Sequence, residues 1–486
     1  MSAQSIAAGL RSVIAAERVA VDPVHNATYG YDASFATRLQ GHPPDAVARV
    51  TSTQEVAAVL RWCHAHGVPV TPRGAATGQS GGAVAVRGGV CLDVSGMRRI
   101  VELRPNDLQV LCEPGLIHAD LNRALGAHGL FFAPDPGSSE MCTIGGMIAN
   151  NSSGMRAVKY GQTKHHVLGL EVVLPDGEVI VTGGVDSWAL KSVSGFDLTP
   201  LFVGSEGTLG VVTRARLRAL PLPAKRALCL APFTSLDAAG RAVGAVFQAG
   251  ILPSAIEFLD ARALDAIRAY EPSVELPDAA ALLIFEVEGD ASSVPAAAAA
   301  VADVVGRYTS AVAWADDPTK MARLWAARRV VGAAVARVRP GYTRVYGGED
   351  ICVPITAIAE ALTSIHALGD GHGITVAIYG HVGDGNLHAA PIIDMRDAAQ
   401  VERAKALIEE IHELALRLGG TTTGEHGVGL VRAGYMAREH GPALSVMQRI
   451  KHALDPGHRM NPGKMALDPG DRRRPYDPPE RYEEQP

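Results

Sequence analysis

The sequence predicts an α+β fold of two main domains, and three observations predict it. A β–α–β-like unit occupies residues 45–70. Short strands and glycine-rich loops then continue to Pro221 and Pro223. From about residue 224 the texture changes to longer helical stretches alternating with apolar strands. A chain of 486 residues has room for two or three domains, each burying its own core.

The elements follow in order. Residues 4–18 read as a short helix, with irregular chain to about residue 41. Asp45–Val50 alternates as a strand does. Ser52 and Glu55 form an S-x-x-E capping box, opening a helix with Val56, Val59, Leu60 and Cys63 on one face. Gly67 ends it, and Val68-Pro-Val70 begins another strand. After the loop Arg73–Gly89, β-like runs lie at Val90–Val94, Gln109–Cys112, Leu170–Leu174 and Glu178–Val181. The last two are joined by the hairpin dipeptide Asp176-Gly177. Leu201–Val203 and Val211–Leu217 flank a further glycine-rich turn. Beyond it, Leu236–Ala249, Ala261–Ala269, Ser293–Tyr308, Lys320–Val338 and Ala398–Leu418 read as helices, with Ala281–Val287 and Ile374–Tyr379 as strands. The charged, proline-rich run after about Met465 reads as a mobile terminus.

Composition excludes several classes. Lys+Arg 45 against Asp+Glu 51 gives −6 without a basic face, so neither nucleic acid nor an anionic membrane is an expected partner. No apolar run reaches the ~18 residues of a membrane span. Arg11 and Glu17 interrupt the N-terminal apolar stretch, so a cytoplasmic location is expected rather than secretion. Six dispersed cysteines (63, 91, 112, 142, 229 and 352) without a C-x-x-C argue against a disulfide framework, a zinc ribbon or an iron–sulfur cluster.

Two constellations carry chemistry. The first is glycine-rich. Pro72-Arg-Gly-Ala-Ala-Thr-Gly-Gln-Ser-Gly-Gly82 follows a strand directly, where backbone N–H groups can form a nest for a pyrophosphate. It fits neither G-x-G-x-x-G nor Walker A, and alone it is as readily a surface loop. Pro134-Asp-Pro-Gly-Ser-Ser139, Thr143-Ile-Gly-Gly-Met-Ile-Ala-Asn-Asn-Ser-Ser-Gly154, Lys159-Tyr-Gly161 and Gly204-Ser-Glu-Gly-Thr-Leu-Gly210 add further small-residue loops. Together they suggest an elongated, phosphate-containing cofactor.

The second is Tyr379-Gly-His-Val-Gly-Asp-Gly-Asn-Leu-His388. A two-residue Asp384-Gly385 turn would pair 381 with 388 and set two imidazoles about 5 Å apart at Cβ. Thr423-Gly-Glu-His-Gly-Val-Gly429 offers Glu425 as a third ligand. Two histidines and a glutamate with an open position suit Zn²⁺, Mn²⁺ or Fe²⁺. Each histidine alone is more often a hydrogen-bonded structural residue.

In this order the motifs R-G-x-x-T-x-x-x-G-G, P-D-P-x-S, T-I-G-G-x-x-x-x-N-x-x-G, Y-G and G-x-E-G-x-L-G resemble the FAD domain of the vanillyl-alcohol-oxidase flavoprotein family. The later motifs resemble its D-2-hydroxyacid dehydrogenase branch, which includes D-lactate dehydrogenase, D-2-hydroxyglutarate dehydrogenase and the glycolate oxidase flavoprotein subunit. The likeness runs from about residue 42 to 465. It implies a two-domain α+β flavoprotein: an N-terminal helix and extended segment (1–41), an FAD-binding domain of two α+β subdomains (42–222), a substrate or cap domain carrying the metal site (223–450), a C-terminal helix returning to the FAD domain (451–465) and a mobile tail (466–486).

The resemblance also implies residue roles. Arg73, Gly74, Ala75, Ala76, Thr77, Gly78 and Ser80 would cradle the FAD pyrophosphate. Pro136, Gly145, Gly146, Asn151, Gly154, Glu206, Gly207 and Gly210 would lie along adenosine and isoalloxazine, with Asn461 near the flavin. Thr77 stands where some relatives attach flavin covalently through histidine, so the FAD should be non-covalent. Ala75 and Ala76 replace the usual central glycines. His381, His388 and Glu425 match the family's divalent-metal ligands, and Arg328 its substrate-carboxylate arginine. His426, beside a ligand, would take the hydroxyl proton. Gly332, Gly348 and Ala390 stand where hydroxyglutarate enzymes hold the distal carboxylate, which favours a short 2-hydroxyacid such as D-lactate or glycolate. Arg432, where relatives often carry lysine, could compensate.

The expected activity is therefore oxidation of a small D-2-hydroxyacid by an FAD enzyme with a separate electron acceptor. That acceptor would be a quinone, a cytochrome, an electron-transfer flavoprotein or an iron–sulfur subunit. It could bring the protein to a membrane periphery, and a homodimer is compatible with the sequence. The competing readings are D-2-hydroxyglutarate oxidation, a non-redox FAD enzyme resembling alkylglycerone-phosphate synthase, and a metallohydrolase.

Overall fold

The structure is a computed structural model and describes residues 1–39, 41–184, 186–345 and 350–468. The chain forms two compact units. The first combines Met1–Ser153, Gln162–Leu222 and the chain from His426; the second combines Gly154–Gly161 with Pro223–Glu425.

In the first unit, a four-stranded sheet runs in the order Val19–Ala20, Ala46–Arg49, Val90–Asp93, Val70–Arg73, and the last three are mutually parallel. The β–α–β reading thus holds, with Val90–Asp93 inserted between its two strands. The connecting helix Thr53–Ala65 starts where the capping box places it: Ser52 Oγ accepts the Glu55 N–H at 3.2 Å, and Glu55 Oε2 accepts the Thr51 N–H at 2.8 Å. Its Val56, Val59, Leu60 and Cys63 are buried with Ile6 and Leu10 of the helix Ala3–Leu10. That first helix is shorter than its reading, and the supposedly irregular stretch after it contains the helices Pro23–Ala27 and Phe35–Leu39.

A second, antiparallel sheet follows the order Ile100–Arg104, Gln109–Cys112, Val211–Arg218, Val167–Val173, Val179–Val181. Helices His118–Gly126 and Ile144–Asn150 contribute Leu121, Leu125, Ile144, Met147 and Ile148 to its core. The Asp176-Gly177 hairpin forms, with Gly177 at φ +86°. Leu201 and Phe202 end the short helix Thr199–Phe202, just ahead of the glycine-rich turn.

The second unit is built on one antiparallel sheet. Ala313–Ala315, Lys225–Phe233, Ala281–Gly289, Ala255–Asp260, Thr375–Gly380 and Asn386–Asp394 lie side by side, and Tyr342–Arg344 and Asp350–Cys352 both pair with the last. The expected helices appear as Leu236–Gln248, Ala261–Tyr270, Val294–Val305, Pro318–Val335 and Ala398–Arg417. The short insert Gly154–Gly161 joins this unit through ion pairs: Arg156 with Glu286 at 2.7 Å and Lys159 with Glu288 at 3.2 Å.

Of the expected tail, Ala466 and Leu467 are buried with Ala433, Met436 and Leu444, and residues 469–486 lie outside the described residues. Among the described residues, no helix is long and apolar enough to cross a membrane.

Candidate active site

The glycine-rich loop leaves the strand Val70–Arg73 of the first unit. Arg73 is buried, and its Nη1 donates to the carbonyls of Tyr29 (3.3 Å), Tyr31 (3.0 Å) and Ala83 (3.1 Å), which ties the two ends of the loop together. Gly74 is there for space, since a Cβ would lie 2.4 Å from Thr143 Oγ1. That hydroxyl in turn accepts the Gly146 N–H and caps the helix Ile144–Asn150. Ala76 takes φ +54°, a conformation that costs a glycine nothing and an alanine about 1 kcal/mol. Arg73, Gly74, Ala75 and Thr143 line a cavity of about 370 Å³. Its other wall includes His25, Tyr29, Arg49 and Arg98, which sequence reading did not single out.

The remaining loop residues converge on the same unit, except Gly154, which belongs to the insert in the second. Gly145 packs on Pro114, and Asn151 (φ +50°) donates through Nδ2 to Gln162 at 2.9 Å. Pro136 opens the turn closed by the Ser139 N–H. Gly207 (φ +69°) lies against Pro72, and Gly210 against Val172 and Val173. Asn461 is buried; its Nδ2 donates to the carbonyls of Gly82 (2.8 Å) and Glu206 (2.7 Å), so one side chain ties two of the glycine-rich loops. The Glu206 carboxylate accepts the N–H groups of Val428 and Gly429, both at 2.7 Å, and burial pushes its pKa up to about 7. It therefore organises the chain just after His426, whose carbonyl accepts from Asn150 Nδ2 at 3.4 Å.

Some buried polar atoms in these loops have unused hydrogen-bonding capacity. Gln79 Oε1, Ser80 Oγ and Asn461 Oδ1 find no hydrogen-bond partner among the described residues. Nor do Nε and Nη2 of fully buried Arg432, whose Nη1 donates to the Gly427 carbonyl at 3.0 Å. Phosphate oxygens and a heteroaromatic edge match such donors and acceptors, so the chain's residues fit FAD.

In the second unit His381, His388 and Glu425 come together. Glu425 Oε1 stands 3.5 Å from His381 Nε2 and 3.4 Å from His388 Nε2, and the imidazole centroids are 5.3 Å apart at 86°. The register differs from the one expected. Tyr379, not His381, pairs with His388, and the turn spans 381–385 rather than two residues. The His381 carbonyl accepts the N–H groups of Asp384 (3.3 Å) and Asn386 (3.2 Å), curling the chain into a wider turn. Gly385 (φ +85°) presses so close to the Val353 carbonyl that a Cβ would sit 1.9 Å from it. The wider turn still delivers His381 to His388. The Glu425 N–H donates to Asp350 Oδ2 at 3.0 Å, which fixes the third member.

Two acidic residues missed in the sequence support this cluster. Glu257 is fully buried on the strand Ala255–Asp260; its Oε1 accepts from His381 Nδ1 at 2.6 Å and its Oε2 from Arg328 Nε. Asp350 accepts from Asn386 Nδ2 and Thr423 Oγ1, both at 2.7 Å. Burial alone would lift the Glu257 carboxyl and depress His381. The charges of His381 and Arg328 instead hold Glu257 below the usual range, and Glu257 with Glu425 holds His381 well above it. With Nδ1 committed to Glu257, His381 presents Nε2 to the cluster, the arrangement a metal-ligating histidine needs. The donor set therefore fits a divalent cation.

Arg328 turns inward from its helix Pro318–Val335. Its side chain is 14% exposed, and its guanidinium stands 5.6 Å from the Tyr379 ring centroid. The space at Gly332 is taken by the Arg344 guanidinium, 3.2 Å from where a Cβ would be. Ala390 is buried opposite Ala377, and Gly348 lies outside the described residues.

The fold and the family matches together define a two-domain α+β flavoprotein oxidoreductase. Residues 44–183 match the family described as FAD binding domain, and residues 222–465 match FAD linked oxidases, C-terminal domain. The chain belongs to the FAD-linked oxidase family. It is 39% identical to the glycolate oxidase subunit GlcD of Bacillus subtilis (strain 168), over 90% of this chain and 91% of that one. It is 36% identical to the probable mitochondrial D-lactate dehydrogenase of Danio rerio, over 95% and 92%. Its fold is that of p-cresol methylhydroxylase in a substrate-bound crystal structure, with a TM-score of 0.80 at 17% identity, covering 96% of this chain and 97% of that one.

Proposed function

We propose that this enzyme oxidises a small D-2-hydroxyacid, of the D-lactate or glycolate kind, to the 2-oxoacid with non-covalent FAD and a divalent metal. A separate acceptor (quinone, cytochrome, electron-transfer flavoprotein or iron–sulfur subunit) would then reoxidise the flavin. The observation that carries this reading is the convergence of His381, His388 and Glu425 in the unit that also holds Arg328. The names of the two relatives, a glycolate oxidase subunit and a D-lactate dehydrogenase, support the substrate class.

When bound, FAD supplies a hydride acceptor, and a metal at the three ligands (Zn²⁺, Mn²⁺ or Fe²⁺) supplies a Lewis acid that acidifies the substrate hydroxyl. The chain's own residues do the rest. Arg328 uses Nε on Glu257, which leaves its Nη pair for the substrate carboxylate. His426, one peptide bond from Glu425, takes the hydroxyl proton. Arg73 to Gly78, Ser80 and Asn461 would hold the FAD, with Pro136, Gly145, Gly146, Asn151, Glu206, Gly207 and Gly210 shaping the walls by close backbone approach. Thr77 offers no imidazole for covalent attachment.

Anaerobic addition of D-lactate, glycolate, D-malate or D-2-hydroxyglutarate to the purified yellow protein tests the reading. Bleaching of the visible flavin band is expected, far faster with D- than L-acids. His426→Ala should stay yellow and lose the bleaching. No bleaching by any D-hydroxyacid in the presence of Zn²⁺ or Mn²⁺ would refute it.

A further inference from the structure

The carboxylate of Glu257 is divided between two functional side chains. Oε1 accepts from His381 Nδ1 at 2.6 Å and Oε2 accepts from Arg328 Nε. Glu257 sits on a strand paired on both sides, with Ile284 opposite it on one neighbour and the adjacent Phe258 opposite Gly380 on the other. The carboxylate is therefore held by a rigid part of the sheet. We infer that Glu257 is a positioning residue which sets the metal ligand His381 and the substrate arginine Arg328 in one fixed register. The inference rests on the proposed function.

Glu257 acts by fixing a tautomer. An oxygen that accepts from Nδ1 keeps a proton there and leaves Nε2, which faces Glu425 Oε1 3.5 Å away, as the nitrogen that a metal takes by displacing its proton. Arg328 can only donate, so the second oxygen must also be an acceptor. A carboxylate meets both demands at once and an amide cannot. In Glu257→Gln the single oxygen is drawn to the guanidinium, and the NH₂ group faces His381 Nδ1. The ring proton is then favoured on Nε2 and must leave it before a metal can bind there, which weakens binding. Removing Arg328 as well frees the amide oxygen to return to His381.

The test reads metal affinity directly. FAD-loaded wild type, Glu257→Gln, Arg328→Met and the double variant are stripped with a chelator and titrated with Mn²⁺ or Zn²⁺, with flavin absorbance confirming the fold. Wild type should bind one ion per chain, and Glu257→Gln should bind about 10–100-fold more weakly. Arg328→Met should stay within about threefold of wild type in metal affinity while its substrate KM rises. The double variant should recover most of the lost affinity, which a merely structural glutamate would not produce. Wild-type affinity in Glu257→Gln, or no recovery in the double variant, overturns the inference. If Glu257→Gln fails to fold, the double variant, which removes both charges, is compared with Arg328→Met, and affinity more than tenfold apart overturns it. A wild-type protein that takes up no divalent ion overturns the metal reading itself.

Discussion

Glu206→Gln isolates one buried carboxyl whose effect on stability has a definite sign. Glu206 sits at φ +51°, its two oxygens accept the Val428 and Gly429 N–H groups, and its carbonyl accepts Asn461 Nδ2. Burial raises its pKa from the ordinary 4.5 to about 7, although the two N–H groups, Lys464 and Arg432 all pull the other way. The folded protein therefore holds this proton more tightly than the unfolded chain does between those two values. The resulting stability is fully present below pH 4.5 and is lost as pH rises through 7. At about 1.4 kcal/mol per pH unit the interval is worth about 3 kcal/mol. Glutamine carries no proton to lose, so the stability of wild type relative to Glu206→Gln should fall by about that amount across the window. For a unit of this size the change is about 5 °C in relative Tm. Holoprotein melting curves for both proteins from pH 5 to 8 give the comparison, and amide exchange at Val428 and Gly429 locates it. A Tm difference constant within about 1 °C over that range would refute the reasoning.

Two further substitutions probe the frame around the site. Gly74→Ala places a Cβ 2.4 Å from Thr143 Oγ1 and displaces the cap of Ile144–Asn150. It should cost about 1 kcal/mol and lower the FAD content, read as the ratio of flavin to protein absorbance after purification. Asp455→Asn leaves buried Lys451 without its counter-charge, although Nζ still donates to the Thr208 and Met460 carbonyls: Asp455 Oδ2 accepts from Lys451 Nζ at 2.5 Å and from the Met460 N–H at 2.8 Å, next to Asn461. A loss of about 3–5 kcal/mol is expected, seen as a lower melting temperature with substrate specificity unchanged.

What could be read in the sequence was local, and what could not was tertiary. Ser52 with Glu55 announces a helix start because both partners lie within one turn, and the structure places the cap there. Asp384-Gly385 announced a hairpin with equal clarity, yet its register was wrong. The wider turn is imposed by the Val353 carbonyl pressing on Gly385 and by the Gly383 N–H donating to Ile256, contacts that a dipeptide preference cannot contain. Glu257 was invisible for a related reason, since its partner His381 is 124 residues away. A weaker signal was nevertheless present. A carboxylate inside an apolar strand, as in Ala255-Ile-Glu-Phe-Leu-Asp260 or Leu282-Leu-Ile-Phe-Glu-Val287, costs several kcal/mol unless a cation or donors meet it. Each such residue therefore implies a buried partner before any fold is known. For Glu286 that partner is Arg156, which brings the Gly154–Gly161 insert to the sheet. For Glu257 it is an arginine and a histidine together, and a carboxylate shared by two such groups has more to do than balance a charge.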